Sequence, residues 1–222
     1  WRRANWLSNL VAESHLSNND LVLPIFVREG KNIVEPIKTL PGINRYTVDK
    51  LHIILKQVNN YKIPMVALFP YIPKKRKDLT GSEAINPNNL ICKSISYVKK
   101  RYPNIGVMSD VALDPYTSHG HDGIIIGNEI DNDKTIQILV KQALLQARMG
   151  CDVISPSDMM DGRVGEIRKF LDKHNFNNVG ILSYAVKYAS NFYGPFRDAV
   201  GSSLKVKNCL LYTSPSPRDQ SG

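Results

Sequence analysis

Five short apolar runs recur along the chain, and the segments between them are amphipathic. The runs are Leu21–Val27 (LVLPIFV), Met65–Pro70 (MVALFP), Ile105–Ala112 (IGVMSDVA), Cys151–Pro156 (CDVISP) and Val179–Tyr184 (VGILSY). Each has strand length and is continuous rather than alternating, the pattern of strands buried on both faces. Pro24 cannot donate to a ladder, so the first run is expected to be an edge strand or irregular there. Between the runs the period changes to that of a helix. Apolar residues fall at 48, 51, 54, 55 and 58 within Val48–Tyr61, and at 90, 91, 95 and 98 within Asn88–Tyr102. Lys134–Met149 carries Ile136, Leu139, Val140, Ala143 and Leu144 and runs into Gly150, a helix-ending glycine. Gly165–His174 is a further helix of the same kind.

The order is strand, then four helix–strand units, which makes a parallel sheet covered by helices. A doubly wound sheet and a (β/α)8 barrel both satisfy it. Polar residues gather after the strands: Asp110 after the third, Ser157 and Asp158 after the fourth, Lys187 after the fifth. A barrel collects its chemistry from the C-terminal ends of several strands. No glycine-rich dinucleotide fingerprint follows the first strand. The expectation is an α/β fold, a (β/α)8 TIM barrel with an N-terminal arm. A full barrel takes eight strands and about 250 residues, so only about the first five or six βα units are expected. The arm is placed at residues 1–20 and the incomplete barrel at 21–204. Residues 205–222, KVKNCLLYTSPSPRDQSG, lack periodicity and are expected to be a disordered or unrelated tail on a truncated chain.

Composition narrows the class without naming a function. The 222 residues are 42% hydrophobic and 22% charged, ordinary for a globular protein. No run is long and apolar enough to span a bilayer, and the first residues lack a secretory h-region. The three cysteines, Cys92, Cys151 and Cys209, are odd in number and far apart, which fits a reducing cytoplasm better than a disulfide framework. A net charge of +9 raises nucleic acid as a partner, but the basic residues are scattered. Only Lys74–Lys77 (KKRK) is dense. Neither nucleic acid nor membrane is expected as a partner. The KKRK run reads as a solvated loop or as an attractor for an anionic substrate.

Three stretches carry candidate chemistry. In SYAVKYASNFYGPFRDA (Ser183–Ala199), Lys187 sits just past an apolar strand among Ala, Val and Tyr. Desolvation there would lower its pKa, and a neutral amine attacks a ketone to give a Schiff base. Arg197 is suited to gripping a carboxylate, with Tyr193 and Phe196 as pocket walls. The plainer alternative is a surface lysine on a loop. In SPSDMMDGR (Ser155–Arg163), Ser157 or Asp158 reads as a helix cap or as a substrate contact. In DVALDPYTSHGHDG (Asp110–Gly123), carboxylates and two histidines suggest either a hydrogen-bonded polar loop or a cation site of hard oxygen ligands.

Together, SDVALDPYTSHGHDG, SPSDMMDGRVGEIR and SYAVKYASNFYGPFRDA resemble, in order and spacing, the porphobilinogen synthase (δ-aminolevulinic acid dehydratase) family. LPIFVREG, PGINRYTVDKL and ALFP extend the resemblance from about Arg2 to Leu204. It implies a TIM barrel whose arm wraps a neighbouring subunit, in a homo-octamer or hexamer. It implies condensation of two 5-aminolevulinate molecules to porphobilinogen in haem synthesis. Lys187 matches the first of two Schiff-base lysines, with Asp110 also catalytic; Ser157, Tyr193, Phe196 and Arg197 match substrate-binding positions. Where zinc-using members carry three cysteines, this chain has Ala112, Asp114 and Asp122. That implies an aspartate-type variant with Mg²⁺ at an allosteric site and no catalytic zinc, Asp114 and Asp122 being the candidate metal residues. The family's second lysine lies in a Met-Val-Lys-Pro motif that is absent from these residues, so the polypeptide as written is expected to be inactive. The remaining alternatives are a Schiff-base aldolase-like barrel and an inactive chain that only joins family oligomers.

Overall fold

A computed structural model describes residues 3–187 and 193–201. The expected tail at 205–222 lies outside the described residues. After α1 (Asn5–Leu10) comes β1 (Val22–Arg28), then β2 (Val34–Pro36) and β3 (Asn44–Tyr46), and α2 (Leu51–Asn60). There follow β4 (Met65–Tyr71), α3 (Leu90–Arg101) and β5 (Gly106–Val111). Next come a hairpin of β6 (Ile124–Ile126) and β7 (Glu129–Asp131), and α4 (Asn132–Arg148). The chain continues through β8 (Val153–Pro156), α5 (Arg163–Lys173), β9 (Gly180–Ile181) and α6 (Tyr193–Val200).

The five apolar runs become β1, β4, β5, β8 and β9, all parallel and in that spatial order. Each strand lies beside the next in sequence, with a helix in every crossover, so the expected α/β architecture is present. β3 adds a parallel neighbour to β1 and β2 pairs antiparallel with β3. Among the described residues these seven strands form an open sheet, not a closed barrel, with β2 at one edge and β9 at the other. β3 meets β1 only at Phe26 and Val27, so at Pro24 the strand has β4 alone beside it. The missing N–H of Pro24 is tolerated where no second ladder needs it.

Strand residues alternate between two apolar faces. Ile25, Val27, Val66, Leu68, Val107 and Ile154 face the helices and pack with Leu51, Leu55, Leu139, Ile167 and Leu171. Phe26, Ala67, Phe69 and Met108 face the other way and pack with Phe196, Ala199 and Val200 of α6. Burial on both sides is why the strands read as unbroken apolar runs. Two helix starts are fixed locally: Asn89 Oδ1 accepts from the Cys92 N–H at 2.8 Å, and Asp131 Oδ1 from the Lys134 N–H at 2.9 Å. Among the described residues no helix is long and apolar enough to cross a membrane.

Candidate active site

The polar residues that follow β5, β8 and β9 converge at one end of the sheet. There a cavity of about 240 Å³ is walled by Asp110, Asp114, Ser157 and Lys187 on its polar side, and by Phe69, Tyr184, Tyr193 and Phe196 on its apolar side. Strand geometry explains the convergence. Parallel neighbours end level with one another, so residues just beyond their C-termini meet although they are far apart in sequence. Phe196 turns its ring edge-on to Phe69, with centroids 5.1 Å apart, and so fixes one wall.

Lys187 is largely buried and its Nζ lies 3.5 Å from Asp122 Oδ2. Burial alone would lower its pKa, but Asp122, Tyr193, Asp114 and Asp110 together outweigh burial and raise it above the ordinary lysine value. The expectation of an amine made neutral by an apolar setting is therefore corrected. Three carboxylates crowd the nitrogen, and Coulomb attraction wins over desolvation. Burial pushes Asp110 up to about 6, opposed by a hydrogen bond from Ser157 and by Lys187, and helped by Asp122. Asp114 is raised well above the ordinary carboxylate range, first by burial and then by repulsion from Asp122 and Asp110. The cluster therefore holds an ammonium, a carboxyl group, Asp114, shifted toward its protonated form, and a second one, Asp110, that titrates near 6. Those are the ingredients of proton transfer at a carbonyl centre.

The stretch from Asp110 to Gly123 is a polar loop tied to its neighbours. The Asp78 N–H donates to Tyr116 O at 3.2 Å and the Ser118 N–H to Asp78 O at 2.8 Å. His119 Nδ1 accepts from the His121 N–H at 3.1 Å, which leaves the proton on Nε2, 3.3 Å from Leu79 O. Thr117 Oγ1 donates to His121 O at 2.9 Å. The two histidines thus shape the loop. Ala112 is buried and offers no donor, and the described residues contain no group of three His, Cys, Asp or Glu placed to hold a metal. Asp114 and Asp122 are hydrogen-bonded to each other, and Asp122 is also paired with Lys187. A lysine ammonium already supplies positive charge to this carboxylate pair. The set lacks the thiolates or imidazoles that zinc wants; a pair of carboxylates is the hard-oxygen chemistry Mg²⁺ takes, with the Lys187 ammonium competing for Asp122.

Ser157 lines the cavity as expected, but neither it nor Asp158 caps a helix: Gly162 is the N-cap of α5. Asp158, with no exposed surface, instead takes the Met160 N–H at 2.8 Å and lies 3.3 Å from Arg163 Nε. Burial raises Asp158 to about 7, against the pull of the Met160 amide and Arg163. Arg163 also reaches Met160 O, Ser183 Oγ and Tyr184 O, fastening the loop that leads to Lys187. Sequence reading passed over Arg163; its place at the end of SPSDMMDGR, one turn after a buried acid, is the signal that was there. Arg197 is not in the cavity wall. It lines a separate groove with Lys38, Lys74 and Asp198.

Comparison with known proteins follows the same lines. A family model for delta-aminolevulinic acid dehydratase matches residues 1–220. A delta-aminolevulinic acid dehydratase of Bradyrhizobium diazoefficiens is 51% identical over 202 residues, covering 91% of this chain and 57% of that protein. One from Chlamydia pneumoniae is 47% identical over 203 residues, covering 91% of this chain and 61% of that protein. The chain thus spans about three fifths of the length of these relatives. Among solved structures, the Toxoplasma gondii delta-aminolevulinic acid dehydratase (porphobilinogen synthase), in complex with the reaction product porphobilinogen, superposes with a TM-score of 0.88. It is 38% identical, and the match covers 93% of this chain and 59% of that one.

Proposed function

The chain belongs to the delta-aminolevulinic acid dehydratase family, and from that premise we propose that it carries one half of the site at which two 5-aminolevulinate molecules condense to porphobilinogen with loss of two waters. The observation that carries the reading is Lys187, buried at the C-terminal end of the sheet with Asp110, Asp114 and Asp122 around its nitrogen. In the proposed reaction the lysine, protonated at rest, passes its proton to a neighbouring carboxylate. The free amine then adds to the substrate ketone, and the carbinolamine loses water to give the imine. Asp110, close to its titration point, is the group suited to taking and returning that proton. Ser157 supplies a hydroxyl to the polar wall; Tyr193 and Phe196 form the apolar one. Arg197 keeps its proposed part in holding substrate carboxylate only through movement of α6, since its present groove is separate.

No step is assigned to a metal at Asp114 and Asp122. The Mg²⁺ of the aspartate-type variant is proposed to act elsewhere in the assembled enzyme. Assembly into a homo-octamer or hexamer belongs to the same proposal. Trp6, Leu10 and Leu16, 68%, 76% and 80% exposed, supply apolar surface of the kind a neighbouring copy covers.

The test is borohydride reduction in the presence of 5-aminolevulinate, read by peptide mass mapping. An adduct on Lys187, lost in Lys187→Met and unaffected by a chelator that takes zinc but spares Mg²⁺, is the expected result. Absence of an adduct on any lysine would overturn the Schiff-base role and leave a chain that only joins oligomers.

A further inference from the structure

The contacts at the C-terminal end of α6 come from two elements distant in sequence. Arg45 on β3 donates from Nε to Ala199 O at 2.7 Å and from Nη2 to Asp198 O at 2.6 Å. Lys77, the last residue of the KKRK run, donates from Nζ to Gly201 O at 3.0 Å. The Arg45 guanidinium lies 4.3 Å from the centre of the Tyr71 ring and is held on its other side by Glu35. A helix leaves its last carbonyls unpaired and its C-terminus partially negative, so two cations there satisfy both needs. Gly201 completes the fit. Its φ is +66°, and a Cβ at this position would stand 2.6 Å from the Tyr71 ring, so only glycine lets the helix end lie against that ring.

The opposite face of the same helix belongs to the cavity. Phe196 packs with Phe26 and Phe69, and Tyr193, Phe196 and Val200 line the cavity wall. The KKRK run divides accordingly. Lys74, Lys75 and Arg76 are exposed, Arg76 pairing with Glu29 at 2.9 Å, whereas Lys77 is turned inward between α6 and the Asp114 side of the cluster. We propose that Arg45, Lys77 and Tyr71 form a clamp that sets where α6 lies over the cavity, so that Arg45 and Lys77 are positioning residues for the wall that faces Lys187. The link to substrate rests on the function proposed above; the clamp itself does not.

The experiment uses the 222-residue chain with Arg45→Met, Arg45→Lys, Lys77→Met and Gly201→Ala. Amide exchange of Ala199, Val200 and Gly201 is expected to speed up about tenfold or more in both methionine variants, which remove hydrogen bonds from charged groups, and in Gly201→Ala, whose Cβ meets the Tyr71 ring, with α3 and α4 unchanged. The 5-aminolevulinate concentration for half-maximal borohydride trapping at Lys187 is expected to rise about tenfold while the maximal adduct stays the same, and Arg45→Lys is expected to recover part of both effects. Unchanged α6 exchange in both methionine variants overturns the clamp. Faster α6 exchange with unmoved half-saturation overturns the positioning role. Lys77→Met, on a half-buried loop residue, decides the matter if Arg45→Met fails to fold. Absence of trapping in the unsubstituted chain counts against the substrate, while the exchange result still decides the clamp.

Discussion

The two faces of the sheet are built from alternate residues of the same strands, yet they end in different places. On the helix side, Ile25, Val27, Val66, Leu68 and Val107 meet four helices and keep almost no exposed surface. On the other side, among the described residues, Phe26, Ala67, Phe69 and Met108 meet α6 and a short stretch around Ile37 and Leu40. The first face is closed and mostly apolar. The second keeps large aromatic rings, stays partly open, and runs at its C-terminal end into the carboxylates and Lys187. One face is packed for stability, and the other gives up packing to hold a cavity.

Neighbouring residues on opposite faces test that division most strongly. Leu68 is fully buried against the helices, and Leu68→Ala is expected to cost about 3 kcal/mol, the middle of the range for a buried leucine in a closed core. Phe69 loses a larger side chain, but it already borders the cavity. Phe69→Ala is expected to cost roughly half as much, because little new void is created around it. Urea unfolding of both variants checks this. Equal losses would mean that the cavity face is as tightly closed as the helix-covered one.

The strands and the helices between them were legible because both signals are local. Continuous apolar runs marked the five parallel strands, and period-3.6 positions marked α2 to α5. α6 escaped because Gly194 and Pro195 at its start break the periodic pattern, and the β6–β7 hairpin because its strands are only three residues each. At the site, Asp110, Ser157 and Lys187 could be read because each lies in the last residues of an apolar run or just past one. The charge state of Lys187 could not. It depends on Asp122, sixty-five residues earlier, arriving 3.5 Å from its nitrogen. The Arg45 contact with Ala199 spans 154 positions and leaves no local trace.

A second effect belongs to the cavity side. Burial raises Asp158 from an ordinary 3.8 to about 7 and Asp110 to about 6. Between roughly pH 4 and 7 the folded chain therefore holds protons that the unfolded chain has released, and stability falls as pH rises through that window. For the two groups together the expected loss between pH 5 and 8 is on the order of 4 kcal/mol, most of it from Asp158. Asp110→Asn and Asp158→Asn should each flatten the slope, and Leu68→Ala should lower the whole curve without tilting it. A tilt in Leu68→Ala would show that the two faces are not independent.

The smallest effect is expected where charge decorates the helix side. Lys99 on α3 reaches Asp152 at 2.9 Å, with the two side chains 26% and 42% exposed. Water already solvates both groups, so Lys99→Met should cost only about 0.5 kcal/mol. Asp152→Ala should cost more, about 1 kcal/mol, because Asp152 Oδ2 also accepts the Val107 N–H at 2.8 Å and that donor would lose its partner. The ordering matters more than either value. On the helix side an ion pair is an accessory to packing, and removing its cation leaves the core intact. At the cavity, removing one member of the Lys187–Asp122 pair leaves a charge with little water to replace its partner. Lys99→Met costing as much as Leu68→Ala, in urea unfolding at moderate salt, would break the claim that packing rather than charge secures the helix-covered face.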